Sequence, residues 1–113
     1  MHELSVAQEI VQVVEQYFSP SRAAITTVKV RVGALAGILP QPLQAAFDLA
    51  SQETSARGAR LEIESVPALY RCNQCGYLLE TDRALTICPH CAGFDLRLIS
   101  GTELDVTEIE LAE

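Results

Sequence analysis

Cys72-Asn-Gln-Cys75-Gly76 and, after an interval of twelve residues, Cys88-Pro-His-Cys91 decide how this chain must be read. Two residues between cysteines let a tight turn aim both thiolates at one ion, with backbone amides donating to the sulfurs. Twelve residues are enough for a short hairpin that returns the second pair to the first. Four thiolates in a tetrahedron favour zinc, and a shell closed by four protein ligands has a structural use. Cys72, Cys75, Cys88 and Cys91 are therefore expected to hold Zn(II) in a ribbon.

The size of the segment points the same way. About thirty residues cannot bury enough apolar surface to fold alone. Zinc binding in finger peptides supplies roughly 10–16 kcal/mol at neutral pH, and that is folding free energy. Iron in a rubredoxin-like site would use the same ligands, but wants a wider gap and more aromatic residues. A thioredoxin-like redox pair needs one cysteine pair, not two at ribbon spacing. His90 lies between two thiolates that already complete the shell, so it reads as a solvent-facing knuckle residue.

Working back from the cysteines, Leu61 and Ile63 alternate with Glu62 and Glu64 as a half-buried strand that Pro67 closes. Before it, Leu43, Ala46, Phe47 and Ala50 form a helical stripe that begins at Pro40 and Pro42, with Gly58 marking its end. Val28, Val30 and Val32 alternate with Lys29 and Arg31 in an earlier strand. Leu4, Ala7, Ile10, Val11, Val14, Tyr17 and Phe18 give a first amphipathic helix, which stops before Ser19-Pro20. Working forward, Leu96–Ile99 is a short strand that closes the ribbon, and Gly101 breaks the chain. The last strand carries Leu104, Val106, Ile109 and Leu111, whose parity changes near Thr107-Glu108 as at a bulge or twist. The expected class is α+β: two helices on a three-stranded sheet in the order α-β-α-β-insert-β. Residues 1–67, completed by 101–113, form the first domain, and residues 68–100 are the inserted four-cysteine zinc ribbon.

Composition excludes several functions. The 113 residues carry 15 Asp and Glu against 8 Lys and Arg, a formal charge of −7, with Lys29 the single lysine. Such a chain is repelled by phosphate backbones, and its sparse aromatics offer little to stack on bases, so no nucleic-acid partner is expected. No apolar run approaches the roughly 20 residues of a membrane helix. Met1-His2-Glu3 is not the start of a secretory signal, so a soluble, cytoplasmic protein is expected. Two histidines, one at the terminus and one in a knuckle, provide no nucleophile–base pair, so no enzyme is expected.

His2 opens a second metal chemistry. A free terminal amine, the amide nitrogen of residue 2 and the imidazole form adjacent chelate rings around one ion, a nitrogen-rich planar set suited to Ni(II) or Cu(II). Histidine is too bulky for ordinary removal of the initiator methionine, so the amine is that of Met1.

Met1-His2-Glu3-Leu4-Ser5, followed late in the chain by the paired Cys-x2-Cys motifs, resembles the HypA/HybF family of nickel metallochaperones for nickel–iron hydrogenase maturation. Val30-Arg31-Val32-Gly33, Ala46-Phe47, Gly58-Ala59, Leu61 and Gly101-Thr102-Glu103-Leu104 also resemble that family's pattern, so the likeness covers nearly the whole chain. One departure is Cys91-Ala92-Gly93, where the usual glycine falls one place late. The resemblance implies Ni(II) as a transient cargo held by His2, the Met1 amine and backbone nitrogen at His2 or Glu3, with Glu3 offering an amide or a carboxylate. It also implies a structural zinc and two partners: a nickel-handling GTPase of hydrogenase maturation and a hydrogenase large-subunit precursor. The rival reading is a zinc-ribbon interaction module with no nickel role.

Overall fold

The computed structural model describes residues 2–19 and 23–113. Helix α1 spans Glu3–Gln16 and buries Val6, Ala7, Ile10, Val11 and Val14. Val6, at 1 % exposure, is a core residue that the expected stripe lacked, whereas Leu4, Tyr17 and Phe18 are exposed. The reason is angular: positions 6, 10 and 14 stack on one face with 7 and 11. The helix also ends earlier than expected, with Tyr17 already its C-cap.

Strand β1 runs Ile25–Gly33 and buries Val28, Val30 and Val32. Helix α2, Pro40–Ala50, begins with proline in its first turn and buries Leu43 and Phe47. It stops at Ala50, well before Gly58. The Thr54 hydroxyl donates to the Ser51 carbonyl at 2.7 Å and accepts from the Ala56 amide at 3.1 Å. Such side-chain bonds to nearby backbone offer the chain turns in place of a further helical run.

Strands β2 (Arg60–Val66), β3 (Ala68–Cys72), β4 (Leu78–Thr81), β5 (Leu96–Ser100) and β6 (Leu104–Leu111) complete the chain. One sheet has the order β2-β1-β6, so the C-terminal strand does return to the first sheet, and the other has the order β4-β3-β5. Along β6 the consecutive residues Thr107 and Glu108 are both exposed between half-buried Val106 and Ile109, which breaks the alternation where the sequence does.

Two compact units emerge. The first comprises residues 1–31, 38–64 and 105–113, and the second residues 32–37 and 65–104. In the first, α1 packs on α2, and Phe47, Leu43, Val6, Val14, Val28 and Val30 are its largest fully buried side chains. In the second, β3 is the central strand, antiparallel to both neighbours. The segment after β1 is stitched into this unit by backbone: Gly33 N–H donates to Glu103 O (2.8 Å), Ala34 N–H to Val66 O (2.8 Å) and Leu35 N–H to Gly101 O (2.7 Å).

The ribbon's hairpin is not inside the twelve-residue interval. It straddles the first knuckle, as β3 leads into Cys72 and β4 leaves it in antiparallel register with Tyr70 opposite Leu79. The knuckle is itself the hairpin turn, since Gly76 N–H bonds Cys72 O (2.8 Å) and Cys72 N–H bonds Tyr77 O (2.9 Å).

Candidate metal centre

The two knuckles have the same backbone. In the second, Ala92 N–H donates to Cys88 O and Cys88 N–H donates to Gly93 O, both at 2.8 Å, matching the bonds around Cys72. Gly76 takes φ +77° and Ala92 takes φ +62° at the equivalent step. The displaced glycine therefore leaves the turn intact and puts an alanine into the left-handed region, which L-residues with a Cβ enter at a cost.

These turns gather the sulfurs. All four Sγ atoms lie within 4.8 Å of one another, with Cys72 and Cys91 3.7 Å apart and Cys75 and Cys88 3.8 Å apart. A tetrahedron with Zn–S bonds of about 2.3 Å has edges of about 3.8 Å, so two opposite edges have the zinc spacing and any longer one has at most about 1 Å to close. Cys72 and Cys88 are buried, while Cys75 and Cys91 form the exposed rim.

Protonation shows why the cluster wants a cation. The Cys75 amide points at the Cys72 sulfur (3.5 Å) and, with the Gln74 amide, lowers the Cys72 thiol to about 7 despite desolvation. At Cys75 the Tyr77 amide favours the thiolate. Desolvation and the sulfurs of Cys72, Cys88 and Cys91 outweigh it and push the thiol up to about 12. Cys91 is likewise helped by the Gly93 amide, yet raised by desolvation and by Cys72 and Cys88. Crowded thiols cannot all ionise unaided, and a divalent ion at their centre supplies the missing charge.

His90 is exposed and is not one of the four donors. Its ring stacks on Tyr77, centroids 4.8 Å apart and planes 10° from parallel, which joins one knuckle to the other. The Tyr70 hydroxyl, from the buried side of β3, accepts from the Leu85 amide at 3.0 Å and pins the return from β4 to the second knuckle. Neither tyrosine stood out in the sequence, because what gives each its role is a partner that lies 13 or 15 residues away.

The amino-terminal residues belong to the other unit. His2 is exposed and is the N-cap of α1, with φ −96° and ψ 133° and no side-chain capping bond, while its carbonyl accepts from Val6 N–H (3.1 Å). Glu3 is the first helical residue, and Met1 lies outside the described residues. Among the described residues, the four cysteines are the one group of three or more His, Cys, Asp or Glu side chains placed to hold an ion.

A two-helix α+β chain with four cysteines gathered to hold one ion defines a small protein of the zinc-ribbon class. Comparison with known proteins narrows the class. The profile described as "Hydrogenase/urease nickel incorporation, metallochaperone, hypA" matches residues 1–111, and the chain belongs to this HypA family. It is 38 % identical to the hydrogenase maturation factor HypA of Nostoc sp. over 113 residues, covering all of this chain and 97 % of that one. It is 39 % identical to the factor of the same name from Trichormus variabilis, with the same coverage. The fold matches the solution structure of the Ni metallochaperone HypA from Helicobacter pylori with a TM-score of 0.67 at 23 % identity, over 98 % of this chain and 97 % of that one. No helix among the described residues is long and apolar enough to cross a membrane.

Proposed function

We propose that this chain carries Ni(II) at its amino terminus and delivers it for maturation of a nickel–iron hydrogenase. In this reading a zinc ion held by Cys72, Cys75, Cys88 and Cys91 is permanent and structural. Membership of a nickel-incorporation family supports the cargo. The observation that carries the site is the geometry of His2: an exposed, uncapped imidazole on the last extended residue before α1.

That position suits nickel for a backbone reason. The first amides of a helix have no intrahelical acceptor, so metal can replace the proton on the His2 or Glu3 nitrogen without breaking the ladder. The Met1 amine and His2 imidazole complete adjacent chelate rings, and Glu3 contributes either its amide or its carboxylate. The positive end of the helix dipole opposes a cation at this place, and the deprotonated amide and the Glu3 charge offset it. A partly opposed site on an exposed end holds an ion that has to leave, whereas four soft thiolates hold one that stays.

The chain then acts as a carrier and not a catalyst, working in the cytoplasm with a nickel-handling GTPase and a hydrogenase large-subunit precursor. Nickel titration of zinc-loaded protein that begins at Met1, against His2→Ala and against protein extended at its amino terminus, tests the reading. Both changes should abolish nickel binding and leave zinc content and helical signal unchanged. Undiminished nickel affinity in either would remove the terminal site.

A further inference from the structure

Arg71 on β3 and Arg97 on β5 are direct cross-strand partners, and both are exposed. Side chains so placed have their Cβ atoms about 4.5–5.5 Å apart on one face, and like charges there repel. Neither guanidinium has an ion-pair or hydrogen-bond partner among the described residues. Asp95, two residues before Arg97, turns to Asn73 instead: its carbonyl accepts from the Asn73 backbone amide (2.9 Å) and its carboxylate from the Asn73 side-chain amide (3.3 Å).

The contrast with the other sheet is chemical. There Lys29 bridges Glu108 and Glu110 (3.1 and 3.2 Å), Arg31 meets Glu64 (3.6 Å) and Arg60 meets Glu62 (2.7 Å). In a chain of net charge −7, with carboxylates in excess, the sheet of the ribbon leaves two adjacent cations without a counterion. They do not serve the thiolates: strand alternation turns Arg71 and Leu69 to the face opposite Tyr70 and Cys72, and those last two are the buried pair. On its other side Arg71 faces Leu78, which is 58 % exposed. One row across the sheet thus reads apolar, cation, cation, and all three side chains are open to solvent.

We propose that this row is a docking site for an extended acidic segment of a partner protein, one that sets carboxylates between Arg71 and Arg97 and an apolar side chain on Leu78. Two guanidinium forks side by side suit carboxylates, which they bind with paired charge-assisted hydrogen bonds. Exposed Leu78 decides between anions, because a polyphosphate such as nucleic acid repeats its charge without an apolar side chain to set there, whereas an acidic segment supplies both. The like-charge repulsion between the arginines is relieved when the acidic segment binds, so recognition is weighted toward charge and falls with salt.

The test uses the full zinc-loaded chain and a short, end-blocked peptide with glutamate, glutamate and valine at every second position and serine between them, so that all three face one way. Binding is followed by calorimetry and by the side-chain Nε–H signals of the arginines. Binding should shift the Arg71 and Arg97 signals. It should weaken about tenfold in the Arg71→Ala/Arg97→Ala protein, with zinc content and melting temperature unchanged. It should also weaken when salt is raised from about 0.05 to 0.5 M, and vanish for the same peptide with lysine in place of glutamate. Absence of binding, equal binding by the double variant, shifts confined to other arginines, or equal binding of inorganic phosphate or an oligonucleotide would each overturn the proposal.

Discussion

Gly33 and Gly101 touch backbone to backbone: a Cβ built on Gly33 would overlap the Gly101 carbonyl and lie 2.6 Å from the Thr102 nitrogen. The end of β1 is thereby pressed against the bend that precedes β6, and the hydrogen bonds from Gly33 to Glu103 and from Leu35 to Gly101 hold it there. Gly33→Ala should destabilise the protein by about 1–3 kcal/mol, as overpacking does where the neighbour is backbone and cannot rotate away. A melting curve checks this, and an unchanged midpoint would refute the contact.

Ala92 offers the reverse experiment. Its φ of +62° in the second knuckle is the conformation that Gly76 adopts freely in the first. Ala92→Gly should relieve left-handed strain of about 1–2 kcal/mol. The larger freedom of glycine in the unfolded chain subtracts from that, for a net gain of about 0.5–1 kcal/mol. Competition with a chelator should show zinc held roughly two- to fivefold more tightly.

Zinc binding should expel protons. With the Cys75 thiol at about 12 and that of Cys91 raised as well, both are protonated at pH 7, so at least two protons leave for each ion bound there. The sign follows: ligation needs thiolates, acid restores thiols, and affinity falls as pH falls, with Cys72 adding its own proton below about 7. Calorimetry in buffers of different ionisation enthalpy counts the protons, and a count near zero would contradict the cluster's electrostatics.

Tyr70→Phe removes an acceptor and little else. The Leu85 amide would lose its 3.0 Å bond in a part-buried place, at a cost of about 1 kcal/mol. Faster hydrogen exchange at Leu85, with zinc content kept, is the expected signature. Unchanged protection there would show that the bond does not organise the approach to Cys88.

The ribbon was legible because its ligands announce themselves by spacing, and two residues between cysteines have few geometric solutions. The first sheet and both helices were legible through period, with Val28, Val30 and Val32 alternating and Ile10, Val11 and Val14 recurring. Boundaries were less so. The end of α2 at Ala50 depends on Ser51 and Thr54 bonding locally, a competition that a hydrophobic pattern does not record. The core place of Val6 was missed because Leu4 and Ala7 offered an equally good period, and only the packing of α1 on α2 distinguishes them.

The sequence by itself determined that four cysteine side chains would meet in a cluster able to hold one ion, since they sit on short turns whose geometry is local. It also determined the family, through motifs at both ends of the chain. Only the tertiary structure decided that Arg97 stands beside Arg71, that Tyr77 covers His90 and that Gly101 admits no side chain on Gly33. Each of those joins residues far apart in the chain, and such neighbours are set by strand register and close packing, which no local pattern encodes.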